Sequence, residues 1–309
     1  MRRPEIVSVV VATPVAGCFD YIVAEHLSVV AGSVVMVPFG NRRLPGIVLG
    51  PGSGDVVVEK LRCLEDVSDV PALPAALIPF MQRFADWTLA PLGAVAKMIL
   101  SQPAALAPAA LQKRFFRPES LPAKQRMTPA RQRVLGALAD GAHLTAKDLS
   151  VAADASPAVI AAMAAQGLLG VDHVAQDQPP AVPRCDLPGL TLTATQATAA
   201  ADLSAMIGRG FATTLLAGVT GSGKTEVYFE AVKTAVQAGQ QVLILLPEIA
   251  LSAAWRSRFT ARFGVSPVEW HSDVSAAQKR HAWRFALTGQ LSVVVGARSA
   301  LFLPFQNLG

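Results

Sequence analysis

The sequence predicts a multidomain protein: a β-rich, barrel-like N-terminal domain, then a small helical domain, then an α/β lobe with a parallel sheet. Residues 5–64 contain short β-branched runs separated by Gly, Pro and Asn, which is the pattern of an antiparallel β unit. Residues 127–172 carry three short helical patterns, and strands alternate with helices after residue 190. A chain of 309 residues is long enough for two or three such domains.

Composition excludes several classes of protein. The chain is 52% hydrophobic, but its longest apolar candidate, Trp87–Leu111, is interrupted by Lys, Ser, Gln and three prolines, so we expect no membrane partner. The N-terminus lacks the sustained apolar run of a secretory signal, which favours a cytoplasmic location. Cys18, Cys63 and Cys185 are scattered without metal-ligand spacing, so we expect reduced thiols and no zinc site in this chain.

The N-terminal domain is predicted to span residues 1–105. Its expected elements are two helices, near Pro74–Thr88 and Leu92–Ser101, and five strands. The strands are predicted at Ile6–Val11, Phe19–Val23, Ser33–Val37, Pro45–Leu49 and Val56–Val58.

Residues 106–175 are predicted to form a basic linker and a helical domain. Between Gln112 and Arg133 there are seven basic residues and only one acid, Glu119. This stretch is either a solvated linker or a contact surface for nucleic acid, which the net charge of +5 also permits.

Three short helices followed by a strand indicate a winged-helix domain. Thr128 and Pro129 are typical of a helix start, a second helix is expected over Thr145–Ala152, and Ser156-Pro157 begins a third that stops at Gly167. Leu168–Asp172 is predicted as one strand of the wing. Such domains contact either DNA or other proteins.

The proline-rich segment at residues 176–190 is predicted to be a linker, and residues 191–309 an α/β lobe. Alternation of strands and helices predicts a parallel sheet with helices on both faces. Helices are predicted at Ala194–Ile207, Thr225–Gln237, Leu251–Phe263 and Ser275–Leu287. Strands are predicted at Thr213–Ala217, Gln241–Leu246, Val268–Trp270 and Leu291–Val295.

One motif in this lobe predicts a nucleotide site. Gly218-Val219-Thr220-Gly221-Ser222-Gly223-Lys224-Thr225 matches G-x-x-x-x-G-K-[ST], in which glycines let backbone N–H groups surround a phosphate. We expect Lys224 to reach the β- and γ-phosphates of ATP, and Thr225 to hold Mg²⁺ through its hydroxyl.

Polar residues follow three predicted strands of the same sheet. They are Pro247-Glu248, His271-Ser272 and Ala297-Arg298-Ser299. Ligands bind at the carboxyl ends of strands in such sheets, so these loops are candidate contacts for the phosphates of a nucleic-acid strand. Each motif alone is weak, since a Pro-Glu turn or a His-Ser pair also serves as a helix cap.

Together, the motifs Leu215–Tyr228, Leu245–Leu251, His271-Ser272 and Gly296–Phe302 resemble the first motor lobe of the PriA family. These are bacterial primosomal replication-restart DNA helicases of superfamily 2. Phe19–Tyr21 and Val37–Gly40, with Arg42, Arg43 and Gly46, resemble the family's 3′-DNA-end-binding domain. One departure is Trp87-Thr88, where the family usually has paired aromatic residues.

The resemblance implies an OB-like or barrel N-terminal domain, a winged helix and a partial RecA-like P-loop helicase lobe. It implies that Lys224 and Thr225 bind ATP and Mg²⁺, that Gln196 contacts adenine, and that Glu248 and Arg298 couple nucleotide state to DNA. Phe19, Asp20 and Tyr21 would line a pocket for a 3′-terminal nucleotide. Either Arg62 or Lys60 would be the basic member of that pocket, and Phe19 or Tyr21 belongs to the core.

The implied function is that of a 3′→5′ DNA helicase of replication restart. Its expected partners are DNA forks, 3′ ends and single strands, primosome proteins and the single-stranded-DNA-binding protein. The family continues beyond the position of Gly309 into an Asp-Glu-Glu-His box, a zinc-binding cysteine cluster and a second lobe with an arginine finger. We therefore expect these 309 residues alone to bind nucleotide weakly and hydrolyse it negligibly. The alternative is a non-catalytic DNA-end-binding module.

Overall fold

The computed structural model describes residues 4–108, 111–122, 127–175, 178–247 and 252–309. The chain divides into two compact units. Met1–Pro108 and Pro179–Gly309 together form the first unit, and Ala109–Gln178 form the second. The first unit is therefore built from both ends of the sequence.

The N-terminal part of the first unit is a six-stranded sheet with the order β5-β2-β1-β4-β3-β6. The short segment at residues 62–67 carries both edge strands of this sheet. Its first part, β5, pairs with β2 at one edge of the four long strands, and its second part, β6, pairs with β3 at the other edge. This pairing curves the sheet into a half-barrel, which confirms the predicted β-rich domain. The strands are β1 (Ile6–Val11), β2 (Phe19–Ile22), β3 (Val34–Phe39), β4 (Arg42–Pro51), β5 (Arg62–Cys63) and β6 (Asp66–Val67).

The strand predicted at Val56–Val58 is wrong. Residues Val58–Lys60 form a 3₁₀ turn instead, and all three valines are exposed. The positions beside β2 and β3 are occupied by β5 and β6, so this valine run has no strand to pair with.

Two predicted helices follow the half-barrel. Helix α1 spans Leu77–Thr88 and ends at Leu89, which has a left-handed backbone, and helix α2 spans Leu92–Ile99. Gly93 lets α2 approach the end of β1, because a Cβ there would collide with the carbonyl oxygens of Thr13 and Val11.

The C-terminal part of the first unit is a parallel sheet with the order β10-β12-β11. Helices cover both of its faces, as the alternating pattern predicted. One face packs against Phe229, Phe259 and Phe263, and the other against Trp283. The elements are α6 (Ala194–Met206), α7 (Lys224–Gln237), β10 (Val242–Leu245), α8 (Ala253–Phe263), β11 (Val268–Trp270), α9 (Ala276–Leu287), β12 (Val293–Gly296) and a 3₁₀ segment (Arg298–Phe302).

The strand predicted at Thr213–Ala217 is also wrong. The segment has no regular secondary structure, and Leu215 is 89% exposed. Strand β10 lies at one edge of the parallel sheet, and on its outer side Gln241 forms an isolated bridge with Leu308. Thr213–Ala217 therefore has no described strand beside it, and an extended segment becomes a strand only with a hydrogen-bonded partner.

A single hydrophobic core joins the two parts of the first unit. Trp283 of α9 is 1% exposed, and its indole Nε1 donates a 2.7 Å hydrogen bond to the carbonyl oxygen of Ile99 at the end of α2. Phe302 contacts Phe84 and Phe80 of α1, with ring centroids 5.0 and 5.9 Å away. The half-barrel with its helices and the parallel-sheet lobe are therefore packed against each other directly.

The second unit contains three short helices and a three-stranded antiparallel sheet with the order β8-β7-β9. The predicted cap of the first helix is confirmed, since Thr128 accepts a hydrogen bond from Arg131 N. Thr145, predicted as the first residue of the second helix, is its N-cap and accepts a hydrogen bond from Asp148 N. The elements are β7 (Leu111–Phe116), α3 (Pro129–Gly136), β8 (Leu144–Thr145), α4 (Ala146–Ala152), α5 (Pro157–Ala165) and β9 (Gly170–Ala175).

Part of the basic stretch is strand β7, not a solvated linker. Phe115 of this strand is buried in the core of the unit with Val134, Leu138 and Leu149. The predicted wing strand is also shifted, because Leu168 and Leu169 lie in this core and β9 begins only at Gly170.

Among the described residues, no single helix is long and apolar enough to cross a membrane. Helices α4 and α5 are long and apolar enough only when they are counted together. The two helices meet at an angle of 114°, so they do not form one continuous helix.

We predict that Trp283→Ala lowers the free energy of unfolding by about 3–5 kcal/mol, because it removes a fully buried indole and its hydrogen bond. Denaturant unfolding followed by circular dichroism measures this change. Trp87→Ala is the matched control, since Trp87 is 81% exposed and its loss should change stability by less than about 0.5 kcal/mol. Equal effects of the two substitutions would contradict the shared core.

Candidate nucleotide and nucleic-acid sites

The phosphate-loop motif forms a turn that leads directly into helix α7. Gly221 and Gly223 have φ values of 81° and 79°, a left-handed conformation that glycine adopts without strain. Gly223 is the N-cap of α7, so the first N–H groups of this helix face the loop. The sequence predicted this arrangement because the glycine spacing itself requires it.

The Lys224 ammonium lies over the loop. Its Nζ donates hydrogen bonds to the carbonyl oxygens of Gly218 at 2.7 Å and Val219 at 2.9 Å. Thr225 follows it in the first turn of α7 and is half-buried, whereas Val219 and Thr220 are exposed. The loop thus collects a cation, a hydroxyl and helix N–H groups in one place, which is the donor set that a polyphosphate requires.

Gln196 connects helix α6 to the same loop. Its Nε2 donates to the carbonyl oxygen of Ser222 at 2.9 Å, and its Oε1 accepts from Thr193 N at 2.9 Å in a capping box. The structure therefore places Gln196 against the phosphate loop, with both ends of its amide engaged. Its predicted contact with adenine stays a prediction.

Loops that follow the three parallel strands meet at one edge of the sheet, as the sequence predicted. Leu246, His271, Ser272 and Gly296 line a cavity of about 150 Å³ there. Arg298 is exposed and begins the 3₁₀ segment just after this edge. Glu248 lies outside the described residues.

One residue at this edge was not singled out from the sequence. Arg256 of α8 also lines the small cavity, and its Nη1 lies 3.5 Å from Glu269 Oε2. The same carboxylate oxygen is 2.8 Å from His271 Nε2. No sequence signal marked Arg256, because only the packing of α8 beside β11 brings it there.

A second cavity, of about 420 Å³, lies at one end of the half-barrel. The structure brings the predicted pocket residues together there, including both candidates for its basic member. The lining residues include Phe19, Asp20, Tyr21, Phe39, Lys60 and Arg62.

Phe19 and Tyr21 lie on the same side of β2 but differ in burial. Tyr21 is 4% exposed, belongs to the barrel core, and its hydroxyl donates to the carbonyl oxygen of Pro38 at 3.2 Å. Phe19 is half-buried and meets Phe39 edge to face at 5.1 Å. Tyr21 is therefore mainly a core residue, and Phe19 provides the more accessible aromatic surface.

The charged groups of the cavity are held by backbone and hydroxyl contacts. Asp20 Oδ2 accepts hydrogen bonds from Ser53 Oγ at 2.8 Å and Gly54 N at 3.2 Å. Arg62 Nη1 donates to the carbonyl oxygen of Gly40 at 3.0 Å. Gly40, Ser53 and Asp55 all line the cavity. No sequence motif marks Ser53 or Asp55, since both lie in an ordinary polar turn.

Burial dominates the titration of two cavity residues. It raises the pKa of the Tyr21 phenol above its usual range, and the nearby Arg62 only partly opposes this shift. Burial likewise raises the pKa of the Cys18 thiol, with a smaller contribution from the Asp20 charge. At neutral pH both groups are protonated, so Tyr21 acts as a hydrogen-bond donor.

The first unit defines a class of protein in which a half-barrel with an aromatic and acidic cavity is packed on a phosphate-loop lobe. Residues 8–101 match the family model of the PriA 3′ DNA-binding domain, and residues 189–305 match that of the type III restriction enzyme res subunit.

Particular relatives agree with this class. The chain is 32% identical to the replication restart protein PriA of Haemophilus influenzae over 322 aligned residues, which cover 99% of the chain and 43% of that protein. It is 56% identical over 96 residues to the PriA of Rickettsia typhi and 44% identical over 95 residues to that of Bacillus subtilis. These shorter matches cover 31% of the chain each, and 15% and 12% of the two relatives. The resemblance to the PriA family is thereby confirmed, and the chain spans less than half the length of these relatives.

We predict that the phenol of Tyr21 titrates above pH 10, since burial disfavours the phenolate. The chain contains only two tyrosines, so Tyr228→Phe leaves Tyr21 as the sole phenol for ultraviolet difference titration. Because the pKa is raised in the folded state, stability is complete below the unfolded value and falls as pH rises through the folded value. A midpoint at or below 10 with the fold intact would contradict the buried position.

Proposed function

We propose that the chain is the N-terminal part of an ATP-dependent DNA helicase of replication restart, which binds forked DNA through the 3′ end of a nascent strand. One observation carries this proposal: a phosphate loop and an aromatic-acidic cavity occur in the same compact unit. The names of the relatives support the same assignment.

The phosphate loop fits ATP with Mg²⁺. Lys224 already lies 2.7–2.9 Å from two loop carbonyl oxygens, so a phosphate oxygen in the loop would take over these contacts as a better acceptor. Thr225 is the residue that would hold Mg²⁺, which neutralises the charge that develops on the phosphates. We infer that the lobe is RecA-like. We also infer that Arg298 and the cavity of about 150 Å³ at the carboxyl ends of the parallel strands face a DNA strand.

The cavity at the half-barrel end suits the last nucleotide of a strand with a free hydroxyl. Phe19 offers an aromatic face or edge for the base, and Asp20 offers an acceptor for the 3′-hydroxyl. Arg62 and Lys60 line the same cavity and are close enough to bind a phosphate of the DNA backbone. Tyr21 supports this arrangement from the core.

The second unit is proposed to be a winged-helix domain that contacts DNA or protein. Helix α5 carries no charged residue, and Arg133 donates to the carbonyl oxygens of Ala153 and Asp154 within the unit. Exposed Lys113 and Arg117 are therefore the better candidates for phosphate contact.

Partners and cofactors follow from the same proposal. By family resemblance we propose that the protein moves along DNA in the 3′→5′ direction and acts in the cytoplasm. On the same basis we propose that its protein partners are primosome proteins and the single-stranded-DNA-binding protein. The second candidate is a DNA-end-binding module without ATP chemistry, which is favoured by the absence of a strand at Thr213–Ala217 just before the phosphate loop.

We predict that Lys224→Ala weakens binding of a fluorescent Mg-ATP analogue about 10- to 100-fold, because it removes a charge-assisted contact to phosphate. Fluorescence titration at millimolar nucleotide measures the weak affinity expected. Lys233→Ala is the matched control, since Lys233 lies on the same helix at a distance from the loop. Equal binding by the unchanged protein and Lys224→Ala would exclude the ATP site and leave the DNA-binding module.

We predict that a duplex with a recessed 3′-hydroxyl binds about 10- to 100-fold more tightly than one with a 3′-phosphate, and that Asp20→Ala removes this preference. Fluorescence anisotropy at one fixed salt concentration measures both affinities. Asp66→Ala is a control with the same change of charge, because Asp66 belongs to the edge strand β6 and does not line the cavity. If both DNA ends bind equally well to the unchanged protein, the end-pocket assignment is wrong.

A further inference from the structure

The turn at residues 52–55, which we call the acid-holding turn, fixes the side chain of Asp20. It begins directly after β4, and Gly52 N donates to the carbonyl oxygen of Ile6 at 2.9 Å. A Cβ on Gly52 would collide with Ile6 and lie 3.2 Å from the carboxyl group of Asp20. The turn is therefore packed closely against β1 and β2.

Two donors from this turn bind the same oxygen of Asp20. Ser53 Oγ lies 2.8 Å and Gly54 N 3.2 Å from Oδ2. Within the described residues, Oδ1 has no hydrogen-bond partner. One carboxylate oxygen is thus used to orient the group, and the other remains available to a ligand.

The direction of the Ser53 hydroxyl follows from its contacts. Ser53 Oγ accepts a hydrogen bond from Asp55 N at 3.2 Å, so its single proton is donated to Asp20. Every neighbour of Oδ2 in this turn is a donor, so Asp20 is held as an acceptor and requires a donor from its ligand.

Asp55 gives the cavity a second carboxylate. A hydroxyl at a strand end donates a hydrogen bond to Asp20 without adding charge. A terminal phosphate brings about two negative charges at neutral pH and only acceptor oxygens, so it offers Asp20 no donor and is repelled by both acids. Lys60 and Arg62, which also line the cavity, offset part of this repulsion but cannot supply the missing donor.

We infer that Ser53 is a positioning residue that makes the cavity selective for nucleic-acid ends with a free hydroxyl over phosphorylated ends. This inference rests on the proposed end-binding function and deepens it. Ser53 acts through Asp20, and its hydroxyl does not touch the DNA.

The test compares the affinity ratio for 3′-hydroxyl and 3′-phosphate duplexes in the unchanged chain and its variants. Ser53→Ala should lower this ratio about 3- to 10-fold, because loss of one of the two hydrogen bonds to Oδ2 frees the carboxylate to rotate. Ser53→Thr, which retains the hydroxyl, should keep most of the ratio. Ser53 is exposed, so the midpoint of thermal unfolding should be the same in Ser53→Ala as in the unchanged chain. A purely structural role for Ser53 would leave the affinity ratio for the two DNA ends unchanged.

A double-mutant cycle separates the two levels of the proposal. If Ser53 acts through Asp20, Ser53→Ala has no further effect when Asp20→Ala is already present. If Asp20→Ala lowers the ratio and Ser53→Ala does not, the positioning role is wrong but the end pocket stands. If Asp20→Ala itself leaves the ratio unchanged, the proposed end pocket is wrong as well.

Discussion

The hydrogen bond between the Trp283 indole and the Ile99 carbonyl marks the constraint on which the first unit depends. It lies inside a hydrophobic core shared by helices α1 and α2 and by the parallel-sheet lobe. Phe302 extends this core toward α1 and follows closely after Arg298, one of the candidate DNA contacts. The half-barrel, its two helices and the parallel sheet are therefore held together by close packing, which deforms little, and not by a flexible linker.

Local signals made much of the fold predictable. Glycine spacing predicted the phosphate loop, and the pair Thr128-Pro129 predicted where a helix begins, because caps act within one turn of the chain. The pocket residues of β2 came from family resemblance, and the structure places them around one cavity. Their roles in binding remain proposals.

The parts that could not be predicted depend on tertiary neighbours. Val56–Val58 and Thr213–Ala217 have strand-like composition, but no described strand lies beside either of them. The sequence does not decide whether Lys113 and Arg114 belong to a linker or to a nucleic-acid contact, and it does not show that β7 carries them through the centre of a sheet. Ser53 and Arg256 have no sequence motif, since each is recruited to its cavity by an element distant in sequence.

The shared core also affects how the chain is made. Ile99 and Trp283 are separated by 184 residues, so at about 5–20 residues per second the ribosome needs roughly 10–40 s to supply the second after the first. Throughout this interval the half-barrel can cover one side of α1 and α2, but the side that faces the parallel-sheet lobe, which includes Phe80 and Phe84, has no permanent cover. The N-terminal part is thus expected to expose apolar surface during translation until Trp283 and the core around it have been synthesised.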